Sequence, residues 1–298
     1  MRTIATVCAA LLFAAPVKAG PALLLDAGDG KILYSEDADD QWYPASLTKI
    51  MTAYLTFEAL RAGKLTRETK IPCSEIAHAQ EPSKVGLPVN ATMSVDLALQ
   101  ALIVKSANDV SVMLAEAVGG LAGIEGMSSL DAFVHLMNAT AQRLGMTRTR
   151  FVNPNGLPAP GQVTTARDLA KLAHAVIRDF PEPEYQSYWA MPDMRIGRRR
   201  IGTHNILLKS YEGADGLKTG FICDSGYNVV ASASRGGRRL IAVVLGEESL
   251  RGRALRAAGL LEHGFQIYGW KALFDTASLN SVPVAADAKS VASIRETV

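Results

Sequence analysis

The spacing of apolar and polar positions changes character three times along the chain. From residue 21, "PALLLDAGDGKILYSE" carries two short apolar runs around Asp29-Gly30, a dipeptide favoured in tight hairpin turns, and predicts two antiparallel strands. In "YPASLTKIMTAY" and the residues after it the period lengthens. Ile50, Ala53, Tyr54 and Phe57 recur at i, i+3, i+4 and i+7, predicting a helix that opens near Pro44 and Ser46 and ends at Arg61-Ala62-Gly63. "KLTRETKIP" reads as a strand region. Ser94 and Asp96 open a helix through "LALQALIVKS" that halts near Ser106-Ala107-Asn108, and another runs from Asp109 to Val118 and stops at Gly119-Gly120. Residues 130–144 form an amphipathic helix closed by Gly145, "FVNPNGLPAPG" is a turn-rich loop, and "TTARDLAKLAHAVIRDF" is a helix capped by Thr164 or Thr165.

The last third returns to strand-like runs. "RIGRRRIGTHN", "GADGLKTGF", "YNVVASAS" and "RRLIAVVLG" read as strands, the last two joined by a turn at Arg235-Gly236-Gly237, and residues 251–268 form a closing helix. Strands at both ends of a helical middle predict one α/β unit whose sheet draws on both termini, with a helical insertion between them. The segment 276–298 lacks a sustained period and is expected to be a loosely ordered tail.

Composition narrows the classes of function. In 298 residues, 48% are hydrophobic and 20% charged, enough to bury a large core. A formal net charge of +2 gives no basis for nucleic-acid binding, and the densest basic run, Arg198-Arg199-Arg200, reads as a solvated loop or strand edge. The N-terminus matters more. Arg2, the apolar run "IATVCAALLFAA" and the small residues Val17 and Ala19 read as a signal peptide over residues 1–19, cleaved after Ala19. The run is too short for a membrane span, which needs about 20 apolar residues. The expectation is an exported, periplasmic protein with no membrane anchor apparent. Cys73 and Cys223 remain in the mature chain, and spacing alone does not say whether they pair. The five histidines, His78, His135, His174, His204 and His263, are scattered, without a metal-binding pattern, so no metal or cofactor is expected.

Candidate chemistry begins at Ser46 and Lys49. Three residues apart on a helix is about 300° of rotation, so both side chains project from one face. A lysine titrates near 10.4 in water, and holding it neutral at pH 7 takes about 4 kcal/mol of desolvation or repulsion by another cation. A lysine so placed can take the serine proton. Two further clusters follow: Ser106-Ala107-Asn108 at a helix-to-helix junction, and Lys218-Thr219-Gly220 on a strand after a glycine-rich turn. Each alone is a weak signal; the three in this order form the set found in penicillin-binding proteins and class A β-lactamases.

From about Ala22 to Ile267 the sequence resembles the low-molecular-mass penicillin-binding proteins, the serine-type D-alanyl-D-alanine carboxypeptidases. "DAGDGKILYSEDADDQWYPASLTKIMTAYL", "DAFVHLMNATAQRLGMTRTRFVNPNGL", "TTARDLA" and "GADGLKTGFICDSGYNVVASAS" carry the likeness. The resemblance implies a β-lactamase/transpeptidase-like fold over residues 20–275, with a mostly antiparallel sheet flanked by helices and a helical subdomain. It implies Ser46 as nucleophile, Lys49 as its base with Lys218 nearby, Ser106 as proton relay and Asn108 on the substrate's amide backbone. Thr219, Lys218 and Arg253 would bind the terminal carboxylate, with Arg251 as the alternative if the register slips by two, and Gly220 lies between them and Phe221. The oxyanion would rest on the N–H groups of Ser46 and Phe221. Expected partners are peptidoglycan stem peptides ending in D-Ala-D-Ala and β-lactam antibiotics. Phe221 stands where several carboxypeptidases carry histidine or threonine. Rival readings are a D,D-endopeptidase cutting cross-links, a class A-like β-lactamase, and an acyl-enzyme-forming sensor or catalytically idle wall-binding protein. "QRLGMTRTRFVNPNGL" lacks the acidic residue a β-lactamase uses to activate water.

Overall fold

The computed structural model describes residues 20–274 and 277–291, so the expected leader at 1–19 lies outside the described residues. Around the Asp-Gly turn, β1 (Ala22–Asp26) pairs antiparallel with β2 (Ile32–Glu36), and Gly30 takes φ +72°, a left-handed angle glycine tolerates readily. A 3₁₀ turn, Ala45–Thr48, then precedes α1 (Lys49–Arg61), so Ser46 lies inside the lead-in turn instead of capping the helix. The single apolar stripe expected for α1 understates its burial. Every residue from Lys49 to Phe57 is buried, and two of its hydroxyls are satisfied internally: Thr52 donates to the Pro154 carbonyl at 2.6 Å and Thr56 to that of Thr52 at 2.8 Å.

β3 (Lys70–Pro72), α2 (Glu75–His78) and β4 (Thr92–Ser94) follow, with β3 and β4 forming a two-stranded sheet. α3 (Val95–Gln100) is capped by Ser94, which accepts from the Leu97 N–H at 3.3 Å, and widens into a π turn at Ala101–Lys105. α4 (Asn108–Ala122) continues through Gly119 and Gly120, where a stop was expected. A Cβ on Gly119 would overlap the Ser129 carbonyl, so the glycine permits the close approach of α5 (Ser129–Arg143). α6 (Ala166–Asp179) is capped by Thr165, which accepts from the Asp168 N–H at 3.0 Å; the Thr164 hydroxyl pairs with that of Thr149. α7 (Pro183–Trp189), not anticipated from periodicity, packs Tyr185, Tyr188 and Trp189 around Phe57. β5 (Asp193–Ile196) and β6 (Arg199–Gly202) make a hairpin of their own. After α8 (Leu207–Ser210) come β7 (Ala214–Ile222), β8 (Gly226–Arg235), β9 (Arg238–Glu247) and α9 (Leu250–Phe274).

The main sheet has the order β2-β1-β9-β8-β7, antiparallel throughout, with Leu24 opposite Ala242 and Val230 opposite Val243. On one face Leu24, Val229, Ala231 and Val244 pack with Ala257 and Leu261 of α9; on the other Leu23, Leu25, Ile241 and Val243 join the core formed with α1 and α6. Because both faces are covered, the middle of β8 and β9 is nearly continuous in apolar residues. This is the α/β fold expected, with helices flanking an antiparallel sheet. β7 is the edge strand, and its free side meets the Ala45–Thr48 turn.

The described part of the tail, 277–291, is pinned and not loose. Ile32 N–H donates to the Ala277 carbonyl and Leu279 N–H to that of Gly30, both at 3.0 Å, while Ala285 and Lys289 N–H donate to the carboxylates of Asp39 and Asp40. Pairing with the first hairpin, which local periodicity does not report, holds it. Cys73 is buried, Cys223 exposed, and both are free.

Candidate active site

The three clusters read from the sequence converge where the edge strand β7, the turn before α1 and the end of the π turn meet. They line a cleft of about 390 Å³, with Ser46, Ser106, Asn108, Thr219, Gly220, Phe221 and Arg253 in its wall. Two glycines let the backbones close in. A Cβ on Gly220 would lie 3.1 Å from the Ser46 amide nitrogen, and one on Gly156 (φ +86°) would overlap the Ala45 carbonyl. The turn carrying Ser46 is thereby held between β7 and the 151–161 loop. Strain is concentrated here: Ala45 at φ +48° and Ser106 at φ +60° are left-handed without being glycine. At Ser106 the cause is the π turn, which ends by reversing the chain into α4 and aims the hydroxyl at β7.

Lys49 has no solvent exposure. Its Nζ lies 2.9 Å from Ser46 Oγ, 2.7 Å from Asn108 Oδ1 and 2.6 Å from the Asn155 carbonyl. Asn108 Nδ2 donates to the Glu81 carbonyl at 2.8 Å, which turns Oδ1 toward the lysine. A neutral amine has two N–H groups and one lone pair. In the neutral form the two acceptors, Asn155 O and Asn108 Oδ1, would take the N–H groups and leave the lone pair for the Ser46 hydroxyl. Burial first, and then the charge of Lys218, hold the Lys49 pKa well below the ordinary lysine value, against an opposing pull from Asp109.

Lys218 is buried as well, its Nζ 2.9 Å from Ser106 Oγ and 3.0 Å from the Thr219 carbonyl. Burial and the nearby Arg253 guanidinium bring its pKa down to about 7. Arg253, 4% exposed, reaches the cleft from α9 and donates to the His204 carbonyl at 3.0 Å. Arg251 is exposed and lies outside the cleft wall, whereas Arg253 lies in it. Phe221 is 48% exposed, its ring 4.4 Å from that of Tyr227. No carboxylate side chain lies among the described residues of the cleft wall.

Several contributors were not legible in the sequence. Asn155 acts through its backbone carbonyl, so its residue type carries no signal; the turn glycine Gly156 beside it was the available mark. Ser83 is placed by hydrogen bonds from the Asn108 N–H to its carbonyl (2.7 Å) and from its own hydroxyl to the Lys105 carbonyl (3.0 Å). His204 does line the cleft, and burial followed by the charges of Lys218, Lys105 and Arg253 lowers its pKa.

A buried lysine facing a serine at the edge of an antiparallel sheet, with a second serine–lysine pair and an arginine across the cleft, defines the β-lactamase/transpeptidase-like class of serine acyl-transfer proteins. Within that class the chain belongs to the D-alanyl-D-alanine carboxypeptidase family, whose profile matches residues 9–249. It is 37% identical over 252 residues to the D-alanyl-D-alanine carboxypeptidase DacC of Escherichia coli (strain K12); this covers 83% of the chain, and the chain spans 61% of that relative's length. Among solved structures it is similar to penicillin binding protein 5 from Haemophilus influenzae, with a TM-score of 0.77, 35% identity and coverage of 83% of this chain and 71% of that one. It is also similar to Penicillin-Binding Protein D2 from Listeria monocytogenes in the cefotaxime bound form, with a TM-score of 0.72, 32% identity, and coverage of 83% and 97%.

Proposed function

We propose that the protein is a serine-type D-alanyl-D-alanine carboxypeptidase that removes the terminal D-alanine from peptidoglycan stem peptides. The observation that carries this is the buried Lys49, its pKa held well below the ordinary lysine value and its Nζ within hydrogen-bond reach of Ser46 Oγ and of two fixed acceptors. Ser46 Oγ attacks the carbonyl carbon between the two D-alanines as its proton passes to Lys49 Nζ. The tetrahedral oxyanion rests on the N–H groups of Ser46 and Phe221, a reading supported by the close seating of Gly220, the residue before Phe221, on the turn that carries Ser46. The C–N bond then breaks, the leaving amine takes a proton through Ser106 and Lys218, and water later hydrolyses the Ser46 ester. Asn108 holds the substrate amide. Thr219, Lys218 and Arg253 hold the free carboxylate, the guanidinium gripping both oxygens.

β-Lactams mimic the scissile amide, and the D2 relative is seen with cefotaxime bound. With no carboxylate in the cleft wall to activate water, the acyl-enzyme with a β-lactam persists, which separates this reading from a β-lactamase. The substrate lies outside the cytoplasm, so the reading calls for export, which the leader expected at 1–19 would supply; no described helix is long and apolar enough to cross a membrane. The test is mass analysis. Penicillin should add to intact protein at Ser46 and not to Ser46→Ala, and D-alanine should be the product from pentapeptide. Absence of the adduct, or labelling that survives Ser46→Ala, removes the assignment; conversion of cross-linked muropeptides to monomers with no free D-alanine would make the protein an endopeptidase.

A further inference from the structure

The β5–β6 hairpin carries the densest basic run in the sequence, and the acylation site does not use it. Arg195, Arg198, Arg199 and Arg200 are exposed, and the one carboxylate on the hairpin, Asp193, is taken by Arg200 at 2.6 Å. Arg195, Arg198 and Arg199 form no ion pair among the described residues. Arg195 and Arg200 are register partners, and like charges directly opposite across an antiparallel pair are destabilising. Lys209 adds its field at Asp193 alongside Arg200 and Arg195. Asp193 offsets only one of these charges, and the surplus favours an anion arriving from outside. The location is specific too. Both strands pack on the Ala101–Lys105 turn that leads into Ser106, and β6 is joined through Thr203 to His204 in the cleft wall.

We propose that this hairpin is a docking surface for the carboxylates of the stem peptides that surround the scissile one in intact peptidoglycan. The inference rests on the substrate reading given above. Guanidinium forks match carboxylates, but single exposed ion pairs are weak. The surface therefore acts where many carboxylates are tethered to one polymer and the peptide in the cleft raises their local concentration. A free pentapeptide occupies the cleft and gains little from it. The hairpin thus sets a preference for polymer over soluble peptide without touching the reacting atoms.

The test compares the parent with a variant carrying Arg195→Gln, Arg198→Gln and Arg199→Gln together. Pelleting with purified sacculi measures binding without turnover, and D-alanine release from sacculi and from free pentapeptide measures kcat/KM. Three exposed pairs predict a fall of about three- to a hundred-fold in sacculus binding and in kcat/KM on sacculi, with the pentapeptide value within about twofold of the parent. The parent's advantage should vanish at about 0.5 M salt, where exposed charges are screened. It should also vanish on sacculi whose carboxylates have been amidated, and a triple Arg→Lys variant should keep most of it. Unchanged sacculus binding overturns the proposal. So do equal losses on sacculi and pentapeptide, which would mean that the hairpin merely supports the cleft. Intact sacculus binding with lost binding to phosphatidylglycerol-containing vesicles overturns it in favour of a lipid surface. If the parent releases no D-alanine while the variant still loses sacculus binding, the substrate reading fails and the docking surface stands.

Discussion

Replacing Lys218 with methionine measures what the fold gives up to hold a cation beside Lys49. Lys218 is 2% exposed, and burial followed by the Arg253 charge lowers its pKa to about 7. In the unfolded chain a lysine titrates near 10.4. Between about pH 7 and pH 10 the unfolded chain therefore keeps a proton that the folded chain has shed, and stability rises with pH across that window. Below about pH 7 the folded protein carries the whole cost, and above pH 10 none of it. At about 1.4 kcal/mol per pKa unit, the cost reaches about 5 kcal/mol. Methionine keeps the length and drops the charge, but it leaves Ser106 Oγ and the Thr219 carbonyl without their lysine partner, a loss of about 1–2 kcal/mol. The variant should thus be more stable than the parent by about 3–4 kcal/mol at pH 6, and the gain should disappear or reverse by pH 10. Urea unfolding followed by circular dichroism at pH 6, 8 and 10 reads both. A gain independent of pH, or a loss at pH 6, would refute the reasoning. Penicillin acylation should slow in the same variant, the result expected if Lys218 plays the role proposed for it in the acylation.

Arg253→Ala should lower kcat/KM for pentapeptide by about 10- to 150-fold, the loss of one charge-assisted pair, while acylation by a thioester lacking the carboxylate falls much less. Equal losses on both substrates would mean that the guanidinium, bonded to the His204 carbonyl, supports the cleft and not the substrate. Gly220→Ala places a methyl 3.1 Å from the Ser46 and Leu47 nitrogens and should slow acylation by about 10- to 100-fold with the melting temperature nearly unchanged; full acylation rates would show that β7 is not closely seated on the turn. Asp39→Asn breaks a buried pair in which Arg167 grips both carboxylate oxygens at 2.6 and 2.8 Å, and should destabilise by about 3–5 kcal/mol. It should also expose the segment around Ala285 to proteolysis, because the Ala285 N–H donates to the same carboxylate; unaltered cleavage there would show that the tail is held elsewhere.

The parts of this protein that were legible in the sequence are those whose chemistry demands a residue type at a fixed local spacing. Ser46 and Lys49 share a helical face, Asp29-Gly30 makes a hairpin turn, and the Lys218-Thr219-Gly220 strand needs a glycine where backbones touch. The apolar runs of β8 and β9 declared strands for the same local reason. Other features depend on contacts between distant segments, and there the reading failed. Gly119 looked like a stop but is a packing contact with α5. The run "RIGRRRIGTHN" read as one strand but folds back on itself as the separate β5–β6 hairpin. The tail looked loose because its partners, Gly30, Ile32 and Asp39, lie at the other end of the chain. The chemistry of Lys49 divides in the same way. Residue type and spacing placed an amine beside a hydroxyl. Only the packing of the 151–161 loop, α4 and β7 around it removes water, supplies two acceptors and brings a second cation near, and desolvation by segments remote in sequence is what holds its pKa well below that of an ordinary lysine.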